Sequence, residues 1–146
     1  MFTREVTLEV ILPANIEKSF AAMVNWPAQS DWMLGTKVWL SAGDGQSVGS
    51  EITALTGIGS KLGLLDTMRI TNWEPPKLVE VLHVGKILKG VGIFKLEPIS
   101  DNQTKFIWYE SVWLPFGIFG LFGWWLIKPG FVYGVRKSLK KFSSTL

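Results

Sequence analysis

The sequence predicts an α+β domain. It would hold seven strands in an antiparallel sheet, one or two short helices after the first strand, and a long helix at the C-terminus. Three observations carry this. Alternating apolar and polar residues recur from the N-terminus to about residue 113, at the period of half-buried strands. Turn-forming clusters separate most of these segments by only a few residues, and short links between successive strands imply antiparallel pairing. Beyond Phe131 the period lengthens to that of an amphipathic helix. At 146 residues the chain predicts a single domain, 1–146, long enough to bury a sizeable core.

In the first strand Val6, Leu8, Val10 and Leu12 alternate with Glu5, Thr7 and Glu9, and Pro13 ends it. "NIEKSFAAMVN" reads as a helix. Asn15 suits the N-cap, Glu17 sits in the first turn, and Ile16, Phe20, Met23 and Val24 share a face. Pro27 can start a second short helix that offers Trp32 and Met33 for packing. Strands are expected near 37–42, 47–56, 65–74, 78–84, 90–98 and 104–113. "SAGDGQS", "GIGSKLG", "EPPK", "VGKILKG" and "SDNQ" break them. From Phe131 to Leu146 the apolar Phe131, Val135, Leu139 and Phe142 fall on one arc, and Arg136, Lys137, Lys140 and Lys141 on the other. Pro129 would start or kink this helix.

"LPFGIFGLFGWWLIKPG", residues 114–130, is the most apolar run. The uncharged stretch from Ser111 to Ile127 just reaches the roughly 17 residues that a membrane helix needs. Its first part continues a strand, however, and Pro115, Gly117, Gly120 and Gly123 interrupt the remainder. "MFTREVTLEV" carries charges too early for a signal peptide. A soluble, cytoplasmic domain is the expectation.

Composition narrows the chemistry. Without cysteine there is neither a disulfide nor a thiolate metal site, and a lone histidine, His83, cannot build a two-histidine iron centre. No metal and no cofactor are expected. The net charge of +3 is uneven: Lys128, Arg136, Lys137, Lys140 and Lys141 give the last segment +5, which leaves −2 on residues 1–127. That segment suits nucleic acid or anionic lipid, but a solvated helix face with cations near its C-terminus accounts for it as well. No nucleic-acid partner is expected.

Alternation also assigns inward faces: Val38 with Leu40, Ile52 with Ala54, Met68 with Ile70, Leu82 with Val84, and Phe94 with Leu96. In the last strand either Phe106, Trp108, Glu110 and Val112 face inward, or Ile107, Tyr109, Ser111 and Trp113 do. If Glu110 faces inward, its burial raises its pKa unless a cation pairs with it. Arg136 is one conceivable partner. His83 alternates against Leu82 and Val84 and is expected to face out. Asp66, Arg69 and Tyr109 are further polar candidates.

"WEPPKLVEV", "HVGKILKGVGIFKLEPI", "TKFIWYESVWLP" and "VRKSLKKF", in this order, resemble the SRPBCC superfamily of START-like and polyketide cyclase-like proteins. The resemblance covers nearly the whole chain. It implies a helix-grip fold, in which a seven-stranded antiparallel sheet wraps around the C-terminal helix and leaves an apolar cavity. Residues 114–130 would then join the last strand to that helix and supply its first turns, with Phe116, Phe119, Phe122, Trp124 and Trp125 partly wall and partly lid, suited to transient membrane contact. The cavity would be lined by Met33, Leu40, Ile52, Met68, Ile70, Leu82, Phe94, Trp108, Glu110, Val112, Trp124, Phe131 and Val135, with plain core packing as the alternative at each position. Fold alone does not fix function. The first expectation is a non-enzymatic binder of an apolar small molecule (lipid, fatty acid, isoprenoid or polyketide). The alternatives are an aromatase/cyclase-like enzyme and an interaction protein that uses its basic last helix.

Overall fold

The computed structural model describes residues 2–58 and 62–146. The elements in order are β1 (Phe2–Leu12), α1 (Ile16–Met23), α2 (Gln29–Trp32), β2 (Thr36–Ala42), β3 (Glu51–Ile58), β4 (Leu62–Glu74), β5 (Leu78–Val84), β6 (Lys89–Ser100), β7 (Gln103–Leu114) and α3 (Ile118–Ser144). The seven strands form one antiparallel sheet in the order β1-β7-β6-β5-β4-β3-β2. β2 to β7 pair in sequence order, and β1 lies beside β7, with Val6 opposite Glu110 and Leu8 opposite Trp108. This is the α+β helix-grip arrangement.

Local chemistry explains the boundaries. Asn15 caps α1, its Oδ1 accepting the Lys18 amide at 2.8 Å. Pro75 and Pro76 lie in the turn between β4 and β5, where no ladder donor is required. β3 starts four residues later than the expected position 47. Asp44 Oδ1 accepts both the Gln46 amide and the Ser47 hydroxyl at 2.8 Å, holding that stretch in a turn. The expected break over 57–63 is narrower, since β3 runs to Ile58 and β4 starts at Leu62; residues 59–61 lie outside the described residues.

The last helix begins within residues 114–130, as the resemblance implies, and well before the stretch that periodicity alone marks. α3 is 27 residues long and contains Pro129 in its interior. It therefore starts thirteen residues before Phe131, with Pro129 inside it rather than at its start. Leu, Ile, Phe and Trp between the glycines and Pro129 sustain the helix. Gly120 allows its first turn to press against the Pro115 carbonyl, where a Cβ would collide with backbone.

The core lies on the concave face of the sheet. α1 brings Phe20 and Met23, α2 brings Trp32, and the second half of α3 brings Val135, Leu139 and Phe142. Phe142 stacks on Trp32 with ring centroids 4.4 Å apart and meets Phe106 edge-on at 5.8 Å. Each such fully buried side chain contributes about 1.5–3 kcal/mol. Polar bonds fix the same half of α3: the Ser138 hydroxyl accepts the Leu34 amide at 2.9 Å, and Ser143 Oγ donates to the Ile11 carbonyl at 2.8 Å.

Candidate functional site

Three features stand out against this frame. The first is a polar row on the concave face. His83 on β5 is buried and engages two carboxylates: Nδ1 lies 2.8 Å from Asp66 Oδ1 on β4, and Nε2 lies 2.8 Å from Glu110 Oε2 on β7. β6 runs between His83 and Glu110, so the contact spans two strand spacings, roughly 9–10 Å. It forms because the intervening inward positions are Gly90, opposite His83, and Gly92, opposite Glu110. A Cβ on Gly92 would sit 3.2 and 3.3 Å from the Glu110 oxygens.

Burial is the strongest single influence on His83 and opposes its charge, yet the bonds to Asp66 and Glu110 overcome it and push its pKa up to about 10. As an imidazolium it donates one proton to each carboxylate. Burial moves Glu110 the other way from an ordinary surface carboxylate, raising its pKa, and His83 partly counters this. Asp66 retains some exposure, with its side chain 15% accessible, so the row leads from the solvent edge to the interior. The ring nitrogens point in opposite directions, each to its own carboxylate. Among the described residues no set of three such side chains converges to hold a metal.

The second feature is a groove of about 1050 Å³ between the outer flank of α3 and the loop from α2 into β2. Lys37, Lys137, Lys140 and Lys141 border it, with Leu34 and Leu55 along its wall and Trp32 and Met33 at its base.

The third is the first half of α3, which stands clear of the sheet. Phe116, Ile118, Phe119, Phe122, Trp125, Leu126 and Ile127 are between 59% and 82% exposed. By length and composition α3 could cross a membrane, and only 6% of its most apolar window is buried. Soluble proteins scatter single apolar residues over their surface, but contiguous apolar patches of this kind mark contact sites.

The predicted cavity residues divide accordingly. Ile52, Met68, Ile70, Phe94, Trp108, Glu110, Val112 and Val135 are buried on or over the concave face. There the rings meet one another: Phe94 and Trp108 lie 4.8 Å apart, and Phe94 and Phe106 6.3 Å. Met33, Trp124 and Phe131 are half-buried at the core's margin, with the last two rings 6.1 Å apart. Leu40 has the inward parity, but it lies on the edge strand and is 37% exposed. Leu82 and Val84 are on the outer face, and Val79, Val81 and His83 point inward. The reversal follows from hydrogen bonding. A buried imidazole is tolerated when both nitrogens are satisfied, and two carboxylates do this.

Arg136 is exposed and is not the partner of Glu110; His83 is. Arg69 lies on the outer face near Glu51 at 3.7 Å, and Tyr109 donates to Glu5 at 2.7 Å, so neither joins the row. The signal that locates His83 is the Gly90–Gly92 pair. Two glycines on one face of a strand mark space for a neighbouring side chain to cross.

No protein-family model matches the chain, and no curated protein matches it significantly in sequence. Solved structures do. The START superfamily protein from Mycobacterium smegmatis is 13% identical, with a TM-score of 0.73 over 97% of each chain. Norcoclaurine synthase from Thalictrum flavum, in complex with dopamine and hydroxybenzaldehyde, is 14% identical, with a TM-score of 0.71 over 99% of this chain and 86% of its own. The Zhui aromatase/cyclase from Streptomyces sp. R1128 is 14% identical, with a TM-score of 0.66 over 77% and 68%. Strand order, the placement of α1 and α2, the terminal helix and these likenesses together show that the chain has the helix-grip fold of these structures.

Proposed function

We propose that the protein docks on a lipid surface through the first half of α3 and binds an apolar small molecule without transforming it. The observation that carries this is the exposed apolar segment from Phe116 to Ile127. The rise from Ile118 to Ile127 is about 14 Å, close to half of a 30 Å hydrocarbon core. Lys128 follows where headgroups would begin. From Val135 onward α3 is packed on the sheet, so this half enters one leaflet while the remainder stays outside. Burying apolar surface at roughly 25 cal/mol per Å² drives such insertion.

Flotation with phosphatidylcholine–phosphatidylglycerol vesicles tests the docking. The wild-type chain should float with the vesicles, and Phe122→Ser with Trp125→Ser should stay behind. Native mass spectrometry of freshly purified protein tests for a retained apolar ligand. A protein that neither floats nor carries or takes up a lipophilic molecule refutes the reading.

The Asp66–His83–Glu110 row favours a second reading, an enzyme in which Glu110 exchanges a proton with a bound substrate and His83 restores it. Two of the similar structures are named as enzymes, an aromatase/cyclase and a synthase. Turnover of a polyketide-like substrate that Glu110→Gln abolishes, with binding retained, would favour this reading.

A further inference from the structure

We infer that the groove between α3 and the α2–β2 loop seats an anionic amphiphile, a carboxylate or phosphate head on a hydrocarbon chain. The inference rests on the proposed reading as a binder of apolar molecules, and it names the ligand class and its seat.

Charge comes first. Lys37, Lys137, Lys140 and Lys141 border the groove, and among the described residues Asp31 is its one acid. A neutral ligand would leave this excess of positive charge uncompensated. Apolar surface comes second. Leu34 and Leu55 line the same groove and are 50% and 40% exposed, so a small anion alone would leave them in water. An amphiphile satisfies both. A volume of about 1050 Å³ is at the upper end of what small-molecule sites use.

A third observation is independent of these. Trp32, which lines the groove, is 3% exposed, and its indole N–H, like that of Trp108 in the interior, has no acceptor among the described residues. Buried donors are nearly always satisfied, and an acceptor oxygen on a bound head would supply the missing partner after a small adjustment of the wall.

The seat is distinct from the interior of the grip. Val135, Leu139 and Phe142 face the sheet, whereas Lys137, Lys140 and Lys141 are on the outer flank. At 100° per residue, Lys137 and Lys140 continue the same side of α3 that Phe119, Phe122 and Leu126 occupy about three to six turns earlier. The groove therefore opens on the side of α3 that carries those apolar side chains, roughly 15 Å or more further along its axis. The anionic head could belong to a free amphiphile or to a phospholipid of the bilayer.

Titration of the isotope-labelled full chain with decanoate and with decanol, followed by NMR, separates the outcomes. The inference expects decanoate to shift the amides of Leu34, Gly35 and Gly57, decanol to bind at least about tenfold more weakly, and Lys137→Glu with Lys140→Glu to weaken decanoate about tenfold or more. Lysine-dependent binding to vesicles containing phosphatidylglycerol, with no binding of free decanoate, also supports it and identifies the bilayer as the source. Equal affinity for decanol and decanoate, unaffected by the lysine reversals, overturns the inference and leaves the apolar-binder reading standing. Shifts confined to Gly92 and Trp108 overturn the seat in favour of the grip interior. Binding of neither probe, with no gain from anionic lipid, removes both the inference and the reading beneath it.

Discussion

His83 and Glu110 meet at 2.8 Å across a strand that runs between them. The bond passes over Gly90 and Gly92, the two inward positions of β6 that carry no side chain. With Asp66 on the other ring nitrogen, one histidine ties β4, β5 and β7 together on a face that is otherwise mostly apolar. Two carboxylates bracket one imidazolium, so the row shares a single positive charge between them.

This row should make stability depend on pH. The folded-state pKa of His83, about 10, lies above its ordinary 6.5. The folded chain therefore keeps a proton that the unfolded chain releases between those values. The stabilisation is complete below pH 6.5 and is lost as pH rises towards 10, with a limiting slope of about 1.4 kcal/mol per pH unit. Urea unfolding at pH 7, 8 and 9 should show that decline, and His83→Gln should flatten it. The substitution should also lower stability at pH 7 by about 3 kcal/mol, because a buried carboxylate loses its charged partner. Equal pH slopes for both proteins would show that the imidazolium does not hold the row.

Gly92→Ala tests the glycine gap. The new Cβ would lie 3.1 Å from Val81 Cγ2 and 3.2 Å from Glu110 Oε1, closer than most such contacts allow. Overpacking of this kind costs about 1–3 kcal/mol. The melting temperature should fall, and the His83 imidazole resonances should shift as the bond to Glu110 is displaced. An unchanged melting temperature would mean that the row does not need the gap.

Much of the fold was legible because the strands alternate regularly and the breaks between them are chemically distinct. "LVEVLHV" shows the limit. Its extent was plain, but its facing was reversed, since Leu82 and Val84 are more apolar than His83. Hydrophobicity ranks residues singly. The side that His83 faces was decided by Asp66 and Glu110, 17 and 27 residues away. The start of α3 was legible from the family resemblance but not from periodicity. Gly117, Gly120, Gly123 and Pro129 signal breaks in a local reading, yet a long apolar helix absorbs such residues where nothing crowds them. The groove was not legible at all, because it forms between Lys37 and Lys140, about a hundred residues apart.

Thr104 ties the last strand to the segment between β1 and α1. Its buried hydroxyl donates to the Ala14 carbonyl at 2.8 Å, fixing the entry to α1 against β7. Thr104→Val keeps the shape and removes the shorter of two donors, leaving that carbonyl only the Ser19 hydroxyl at 3.4 Å, at a cost of about 1 kcal/mol. Chemical denaturation should show the loss with little change in the slope against denaturant. Unaltered stability would mean that water replaces the hydroxyl.

The two halves of α3 should respond oppositely to truncation. Phe142 is 1% exposed, stacked on Trp32 and edge-on to Phe106, so Phe142→Ala removes a ring that the surroundings cannot replace. The expected loss is about 3–5 kcal/mol. Phe122 is 61% exposed and touches mainly Trp125, at 6.1 Å between ring centroids. Phe122→Ala should change folding stability by less than about 0.5 kcal/mol, as surface substitutions usually do. Vesicle partitioning should invert that order. Phe122→Ala should weaken it clearly, and Phe142→Ala, measured where the variant is still folded, should leave it nearly unchanged. Thermal melting and flotation on the same two variants give both comparisons. If Phe122→Ala proves as destabilising as Phe142→Ala, the first half of α3 is packed against protein in solution, through a second copy or a rearranged helix. Its exposed apolar side is then an interface between proteins rather than a surface for lipid.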